Sequence, residues 1–330
     1  MIITKTPFRV SFFGGGTDYP AWFEENGGAV LSTTIDKYCY ITIRHLPPFF
    51  KYKHKIVYSK VETVRSISEI QHPVVKALLR QFKVQGGVEV HHDADLPAQT
   101  GLGSSSSFTV GLLNSLYALN GKIVSKAQLA REAIHIERDI LKEHVGSQDQ
   151  IAVAHGGLNK IVLHNDHNFR VEPIPLRKSR VSLLEDHLML VFSGFTRFAS
   201  KVAAEQIRNT PEKKKELQRI REMVDQAIGI LNGNGAIEEF GHLLNESWQL
   251  KRGLSSRITN RNIDALYEKA LKCGAIGGKL LGAGGGGFML LFVRPKDRER
   301  LKKGLDGFLE VKFKFEADGS QVIYYNPQEI

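Results

Sequence analysis

Residues 96–110 read LPAQTGLGSSSSFTV, four consecutive serines between a glycine pair and an apolar run. In composition the stretch is a linker, but its context argues otherwise. Phe108–Leu119 is apolar at helical spacing and stops at Asn120-Gly121, a good C-terminal cap, so the spacing predicts a helix that begins within Ser104–Ser107. Glycines let a backbone approach a ligand closely, and the first turn of a helix offers unpaired N–H groups and the positive end of its dipole. One serine suffices as a cap. The spare hydroxyls can donate to a phosphate or ligate a Mg2+ that bridges phosphate oxygens. Taken alone, the stretch fits a plain N-cap after a glycine turn equally well.

Two further clusters stand among the 31 glycines, Gly14-Gly15-Gly16 and the run Gly282-Ala283-Gly284-Gly285-Gly286-Gly287. The second contains GxGxxG at Gly282, Gly284 and Gly287. A dinucleotide fingerprint needs a helix after it, whereas Phe288–Val293 reads as a strand, so that interpretation fails on context. No GxxxxGK[ST] occurs, which excludes a Walker A loop.

Working outward, Phe8, Val10 and Phe12 alternate, as do Tyr38, Tyr40 and Thr42 within Ile35–Ile43, and both segments read as strands. Helical spacing follows Pro73, and Val88–His92 is extended. Ser125 with Gln128 forms a capping-box pattern that opens a helix to about Glu143. The pattern breaks from Pro173 to Arg180, which divides the chain into residues 1–175 and 176–330. Beyond it come a buried-strand run at Leu188–Phe192, a helix with Leu217, Ile220, Val224, Ile228 and Leu231 on one face, and another over Ile263–Leu271. A helix around Arg298–Leu309 and strands near Val311–Phe315 and Val322–Tyr325 close the chain. This is an α+β protein of two domains, without internal repeats.

The 330 residues carry a net charge of +10, with basic residues scattered apart from Lys213–Lys215, which fits a solvated helix face. Neither an RNA-binding aromatic signature nor zinc-finger spacing is present, so small anions are the expected partners rather than nucleic acid or membrane. Cys39 and Cys273 give neither a disulfide framework nor a metal-ligand spacing, and no signal-peptide pattern opens the sequence. A cytoplasmic location is expected.

Two acids occupy unusual places. Glu137 falls on the apolar face of its helix, three residues after Ile134 and four before Leu141, where a carboxylate must be paired, protonated or metal-bound. A core ion pair and a Mg2+ ligand are both open to it. Asp149 leads the apolar Ile151-Ala152-Val153 with no charge partner nearby in sequence, which fits an N-cap or a catalytic carboxylate.

Together these stretches resemble the GHMP kinase superfamily. Its three ordered motifs are matched by Pro7–Tyr19 (PFRVSFFGGGTDY), Leu96–Ser105 (LPAQTGLGSS) and Lys279–Phe288 (KLLGAGGGGF), which span nearly the whole chain. The resemblance implies an N-terminal domain with a left-handed βαβ unit and a ferredoxin-like C-terminal domain, with ATP and Mg2+ used between them. It implies an ATP loop of Pro97, Gly101, Leu102, Gly103, Ser104, Ser105 and Ser106, and Mg2+ ligation by Ser105 and Glu137. Asp149 is implied as the catalytic aspartate with Arg9 beside it. Asp18, Gly15, Gly16, Thr17, Gly284, Gly285 and Gly286 are implied on the substrate side.

Galactokinases have Glu-His where this chain has Gly15-Gly16. The combination Gly14–Pro20, Asp36-Lys37-Tyr38, Ile136-Glu137-Arg138 and Val145–Gln150 is most similar to D-glycero-D-manno-heptose 7-phosphate kinases, which phosphorylate the anomeric hydroxyl of a sugar phosphate; neighbouring members act on fucose or related sugars. A substrate with its own phosphate requires a second cationic site. Arg197, Lys251 and Arg252 are the candidates, each also readable as an ordinary surface charge.

Overall fold

The computed structural model describes residues 1–194 and 199–327. The chain opens with β1 (Ile2–Phe13), α1 (Pro20–Asn26) and the long β2 (Gly28–Leu46), followed by β3 (His54–Val57), β4 (Val61–Val64), α2 (Pro73–Gln81) and β5 (Gly87–Ala94). Antiparallel β1 and β2 pair from Ile2 opposite Ile43 to Phe13 opposite Leu31. With β13 (Gln321–Tyr325) from the end of the chain, the strands order as β13-β1-β2-β5-β3-β4, and β3 lies parallel to β5 through the α2 crossover.

The helix expected after the serines is α3 (Ser104–Leu119), buried at nearly every position from Ser106 to Ala118. A helix apolar on all sides belongs in a core, and α3 lies against β1 and β2 with α4 (Lys126–Ile134) and α5 (Gln148–His155) beside it. β6 (Asn159–Leu163) pairs with β2, and β7 (Phe169–Pro173) pairs with β6.

After α6 (Lys178–His187), a four-stranded antiparallel sheet is built from β8 (Leu188–Phe192), β9 (Ala275–Leu280), β10 (Phe288–Val293) and β11 (Glu310–Val311), ordered β11-β8-β10-β9. With it come α7 (Ala199–Asn209), α8 (Lys214–Asn232), α9 (Glu238–Arg252), α10 (Arg261–Lys272) and α11 (Arg298–Gly304); α9 and α10 pack on β9, while α8 lies against α9 and against β1 and β2. Phe12 and Phe13 of β1 meet Phe240 of α9 edge-on, with centroids 5.4 and 5.1 Å apart, and Phe240 in turn meets Phe292 of β10, so an aromatic cluster joins the two sheets through α9.

Five expectations change. The second unit does not keep its C-terminus: β12 (Phe315–Glu316) joins β2 and β13 (Gln321–Tyr325) joins β1, so the last strands complete the first sheet and the 176–330 division ends early. Val311–Phe315 is therefore not one strand, since its two ends serve different sheets. The helix expected over Arg298–Leu309 stops at Gly304. The helix expected to reach Glu143 is α-helical only to Ile134, then widens into a π turn over His135–Ile140, closed by Leu141 N–H donating to the Ile136 carbonyl at 2.9 Å. At its start only half of the capping box forms: the Ser125 hydroxyl accepts from Gln128 N–H at 3.2 Å, while the Gln128 side chain turns to Tyr117 and Glu132.

Candidate active site

The helix after the glycine turn has no side-chain cap. Its N-cap is Gly103 in the left-handed region, φ 77°, and no serine hydroxyl returns to the first-turn N–H groups. A Cβ at Gly103 would stand 3.2 Å from Arg9 Cγ and 3.5 Å from Asp149 Oδ2, so this glycine leaves room for two charged side chains. The four serines separate by role. Ser107 donates to backbone carbonyls of Pro7 and Gly103, and Ser106 donates to Glu137 Oε2 at 3.0 Å. Ser105 is exposed and Ser104 half-buried, and neither hydroxyl has a partner among the described residues. The first turn thus keeps N–H groups and two hydroxyls for an incoming anion.

Asp149 is the second residue of α5, with Ser147 at the N-cap, so it does not cap. The partner missing from its sequence neighbourhood is Arg9. The Arg9 guanidinium forks onto it, Nε to Oδ1 at 2.7 Å and Nη2 to Oδ2 at 2.6 Å, while Nη1 donates to the Gly101 carbonyl at 2.6 Å. Arg9 is buried and the Asp149 carboxylate is 24% exposed, so the pair has one face open to the cleft.

Glu137 is fully buried with no lysine or arginine on it among the described residues, which removes the ion-pair alternative. Ser106 and Gln150 both donate to Oε2, Gln150 at 2.5 Å, while Oε1 is buried without a hydrogen-bond partner. Complete burial pushes its carboxyl up to about 7. Two hard oxygen donors, this carboxylate and a serine hydroxyl, suit Mg2+, which takes one or two protein oxygens and the rest from phosphates and water. The structure sets Ser106, not Ser105, against the carboxylate; Ser105 is its exposed neighbour on the same turn.

On the substrate side, Asp18 is buried and accepts from Gly16 N–H at 2.9 Å and Gln148 N–H at 3.4 Å. Burial raises its pKa, as does the Asp149 charge, while the backbone N–H groups oppose the rise. The Thr17 hydroxyl is fully buried against the Gly14 and Ala29 carbonyls, which makes it a structural tie of the turn. Gly15 faces Gln148, whose amide Nε2 lies 3.7 Å from where a Cβ would be and whose Oε1 accepts from the Ser11 hydroxyl at 2.7 Å.

The third glycine cluster packs on protein. A Cβ at Gly282 would lie 2.5 Å from Gly101 Cα, at Gly287 2.3 Å from the Thr100 carbonyl oxygen, and at Gly284 2.8 Å from Ile258 Cα. The expectation that Gly284, Gly285 and Gly286 meet phosphate or sugar therefore has a competing cause for Gly284: a side chain is excluded there by neighbouring backbone.

Of the second cationic site's candidates, Arg197 lies outside the described residues. Arg252 pairs with Asp264 at 2.9 Å. Lys251 is no surface charge: it is buried and donates to the Leu280 and Gly282 carbonyls. Sequence reasoning missed Gln150, Thr109 beside Glu137, and the buried Lys279, which donates to the Phe12 carbonyl at 2.7 Å. A signal for Lys279 was present, because a lysine inside the apolar run Ala275–Leu281 needs a reason.

Two family models match this chain, the GHMP kinases N terminal domain over residues 68–157 and the GHMP kinases C terminal over residues 226–310. They span more than half of it, and the chain belongs to the GHMP kinase family. The D-glycero-alpha-D-manno-heptose 7-phosphate kinase of Campylobacter jejuni is 28% identical over 332 residues, covering 96% of this chain and 97% of that protein. A galactokinase of Pyrococcus furiosus is also 28% identical, over 96% of each. In fold, the chain is similar to a D-glycero-D-manno-heptose 1-phosphate kinase from Bacteroides thetaiotaomicron (TM-score 0.79, 24% identity, 98% and 99% of the two chains) and to a mevalonate kinase (TM-score 0.72, 18% identity, 96% and 100%). No helix among the described residues is long and apolar enough to cross a membrane.

Proposed function

We propose that this chain is an ATP- and Mg2+-dependent kinase of the anomeric hydroxyl of a sugar phosphate, with D-glycero-D-manno-heptose 7-phosphate giving the 1,7-bisphosphate for GDP-heptose and surface polysaccharide synthesis. The observation that carries the kinase is the Arg9–Asp149 fork set beside the uncapped first turn of α3. Phosphoryl transfer asks mainly for alignment and charge compensation. The N–H groups of Ser104–Ser106 hold the phosphates of ATP, and Asp149 accepts the proton of the sugar hydroxyl as its oxygen attacks the γ-phosphorus and the bond to the ADP oxygen breaks. Arg9 fixes the carboxylate so that its free face meets that hydroxyl, and Asp18 orients the sugar. Glu137, with Ser105 or Ser106, would hold Mg2+, which when bound neutralises charge on the β- and γ-phosphate oxygens.

The heptose phosphate reading is supported by the Campylobacter relative and by Gly15-Gly16 in place of Glu-His. A galactose or fucose kinase is the second reading, favoured by the equally identical Pyrococcus galactokinase. An ADP-release assay over a panel of sugars and sugar phosphates separates them. Turnover with heptose 7-phosphate supports the first; turnover only with free sugars overturns it. Asp149→Asn is expected to lower kcat at least about a thousandfold while Mg·ATP still binds. Unchanged turnover would remove Asp149 from the mechanism, and binding with no turnover on the whole panel would favour a non-catalytic sensor.

A further inference from the structure

The mechanism leaves unused a costly group near the cleft. Lys251, in the last turn of α9, is 7% exposed, and no carboxylate lies within ion-pairing distance of it among the described residues. An ammonium so placed is expensive to bury. Its hydrogen bonds go to two carbonyls, Leu280 at 2.8 Å and Gly282 at 2.6 Å, on either side of the corner where β9 enters the third glycine run. Filling space would need no charge there, so the corner itself calls for explanation.

That corner meets the phosphate loop at Gly101. A Cβ at Gly101 would lie 2.5 Å from the Leu281 carbonyl oxygen, and one at Gly282 would lie 2.5 Å from Gly101 Cα, so the two backbones meet without slack. Gly101 in turn accepts from Arg9 Nη1 at 2.6 Å, and the same guanidinium forks onto Asp149. The path from Lys251 to Asp149 is therefore continuous: ammonium, two carbonyls, one glycine contact, one guanidinium.

We propose that Lys251 is a positioning residue for the phosphoryl transfer, clamping the Leu280–Gly282 corner so that it seats Gly101 of the phosphate loop and, through Gly101, the Arg9–Asp149 fork. The inference rests on the kinase reading above. It assigns Lys251 no contact with ATP or sugar, in place of the phosphate-binding role its sequence position suggested. Arg9 and Lys279 face it as like charges and Asp18 and Asp149 as opposite ones, from β1, β9, the turn after β1 and α5. A misplacement of the base by a fraction of an ångström acts on the transition state more than on ground-state binding.

The test pairs Lys251→Met with Gly282→Ala, which attacks the same contact from its other side and leaves the ammonium in place. Each single variant is expected to lower kcat at least about tenfold while KM for ATP and for sugar stays within about threefold. Because both act through one contact, the double variant should lose much less than the product of the two losses. Losses that multiply, a rise in KM at constant kcat, or full activity in Lys251→Met would each overturn the proposal. If Lys251→Met does not fold, Lys251→Arg, which keeps a cation but not the single ammonium between the Leu280 and Gly282 carbonyls, decides by the same split. A wild-type chain without turnover on any sugar would instead defeat the kinase reading, and the two failures are distinct.

Discussion

Glu137→Gln separates what this carboxylate does for stability from what it does for catalysis. The substitution keeps the shape and leaves the amide oxygen in the place of Oε2 to accept from Ser106 and Gln150, replacing only the oxygen that has no partner, Oε1, by the amide nitrogen. In the metal-free protein the carboxyl is pushed from 4.5 up to about 7 by burial. A raised acid means that the folded state binds the proton more tightly than the unfolded one. The stability this contributes is fully present below pH 4.5 and is lost as pH rises through about 7. At about 1.4 kcal/mol per pH unit, the native state loses about 3 kcal/mol across that window. Glutamine does not titrate, so the loss is absent in the variant. A buried amide without an acceptor costs about 1–3 kcal/mol, but this offset is the same at every pH. The expected result is that the stability of Glu137→Gln relative to wild type rises by about 3 kcal/mol between about pH 5 and about pH 8, measured by urea denaturation in EDTA. A difference that is flat with pH would refute the assignment of the raised carboxyl to Glu137. The same variant should lose Mg2+-dependent turnover and the thermal shift that Mg·ATP gives the wild type; an unchanged shift would mean that Glu137 does not hold the ion.

Gly146→Ala would place a Cβ 1.8 Å from Asp18 Oδ2, so Asp18 must move. KM for the sugar should rise at least about tenfold with KM for ATP unchanged, and steady-state kinetics with both substrates varied would show a rise in both if the placement is wrong. Arg9→Lys replaces a three-point guanidinium contact by a single ammonium, and charge-assisted bonds are worth about 1.5–3 kcal/mol each. A fall in kcat/KM of about tenfold or more is expected, and a value within about threefold of wild type would show that the fork does not align the base.

Local features carried much of the site into the sequence. The serine-rich helix start, the apolar placement of Glu137 and the isolated Asp149 were each visible in spacing alone, although the absence of a serine cap on that helix was not. What was hidden is what distance in sequence hides. Arg9 lies 140 residues from Asp149, and no local pattern pairs them. The π turn that carries Glu137 inward is a hydrogen-bond slip, and the residues of His135–Ile140 do not announce it. The return of β12 and β13 to the first sheet was equally silent, since a short strand does not reveal which edge it will meet.

The three glycine motifs are, in the fold, one object. Arg9 N–H donates to the Leu102 carbonyl at 3.0 Å and Phe288 N–H to the Thr100 carbonyl at 3.0 Å, so the phosphate loop is stitched to the first motif on one side and to the third on the other. Gly101, Gly282 and Gly287 are glycines because these stitches bring backbone against backbone. The motifs therefore need not all touch a ligand to be required together. A side chain at Gly282 would press on Gly101 from a different sheet, and through it on Arg9, as one at Gly103 would press on Arg9 and Asp149 directly. Of the four serines that follow, two turn inward to the Glu137 carboxylate and to backbone, and the exposed Ser105 and half-buried Ser104 remain at the helix start for what the loop holds. Motif order along the chain thus reports the packing of a single floor, and on the proposed function the side chains around Gly15, Gln148 and Asp18 above it would set the identity of the sugar.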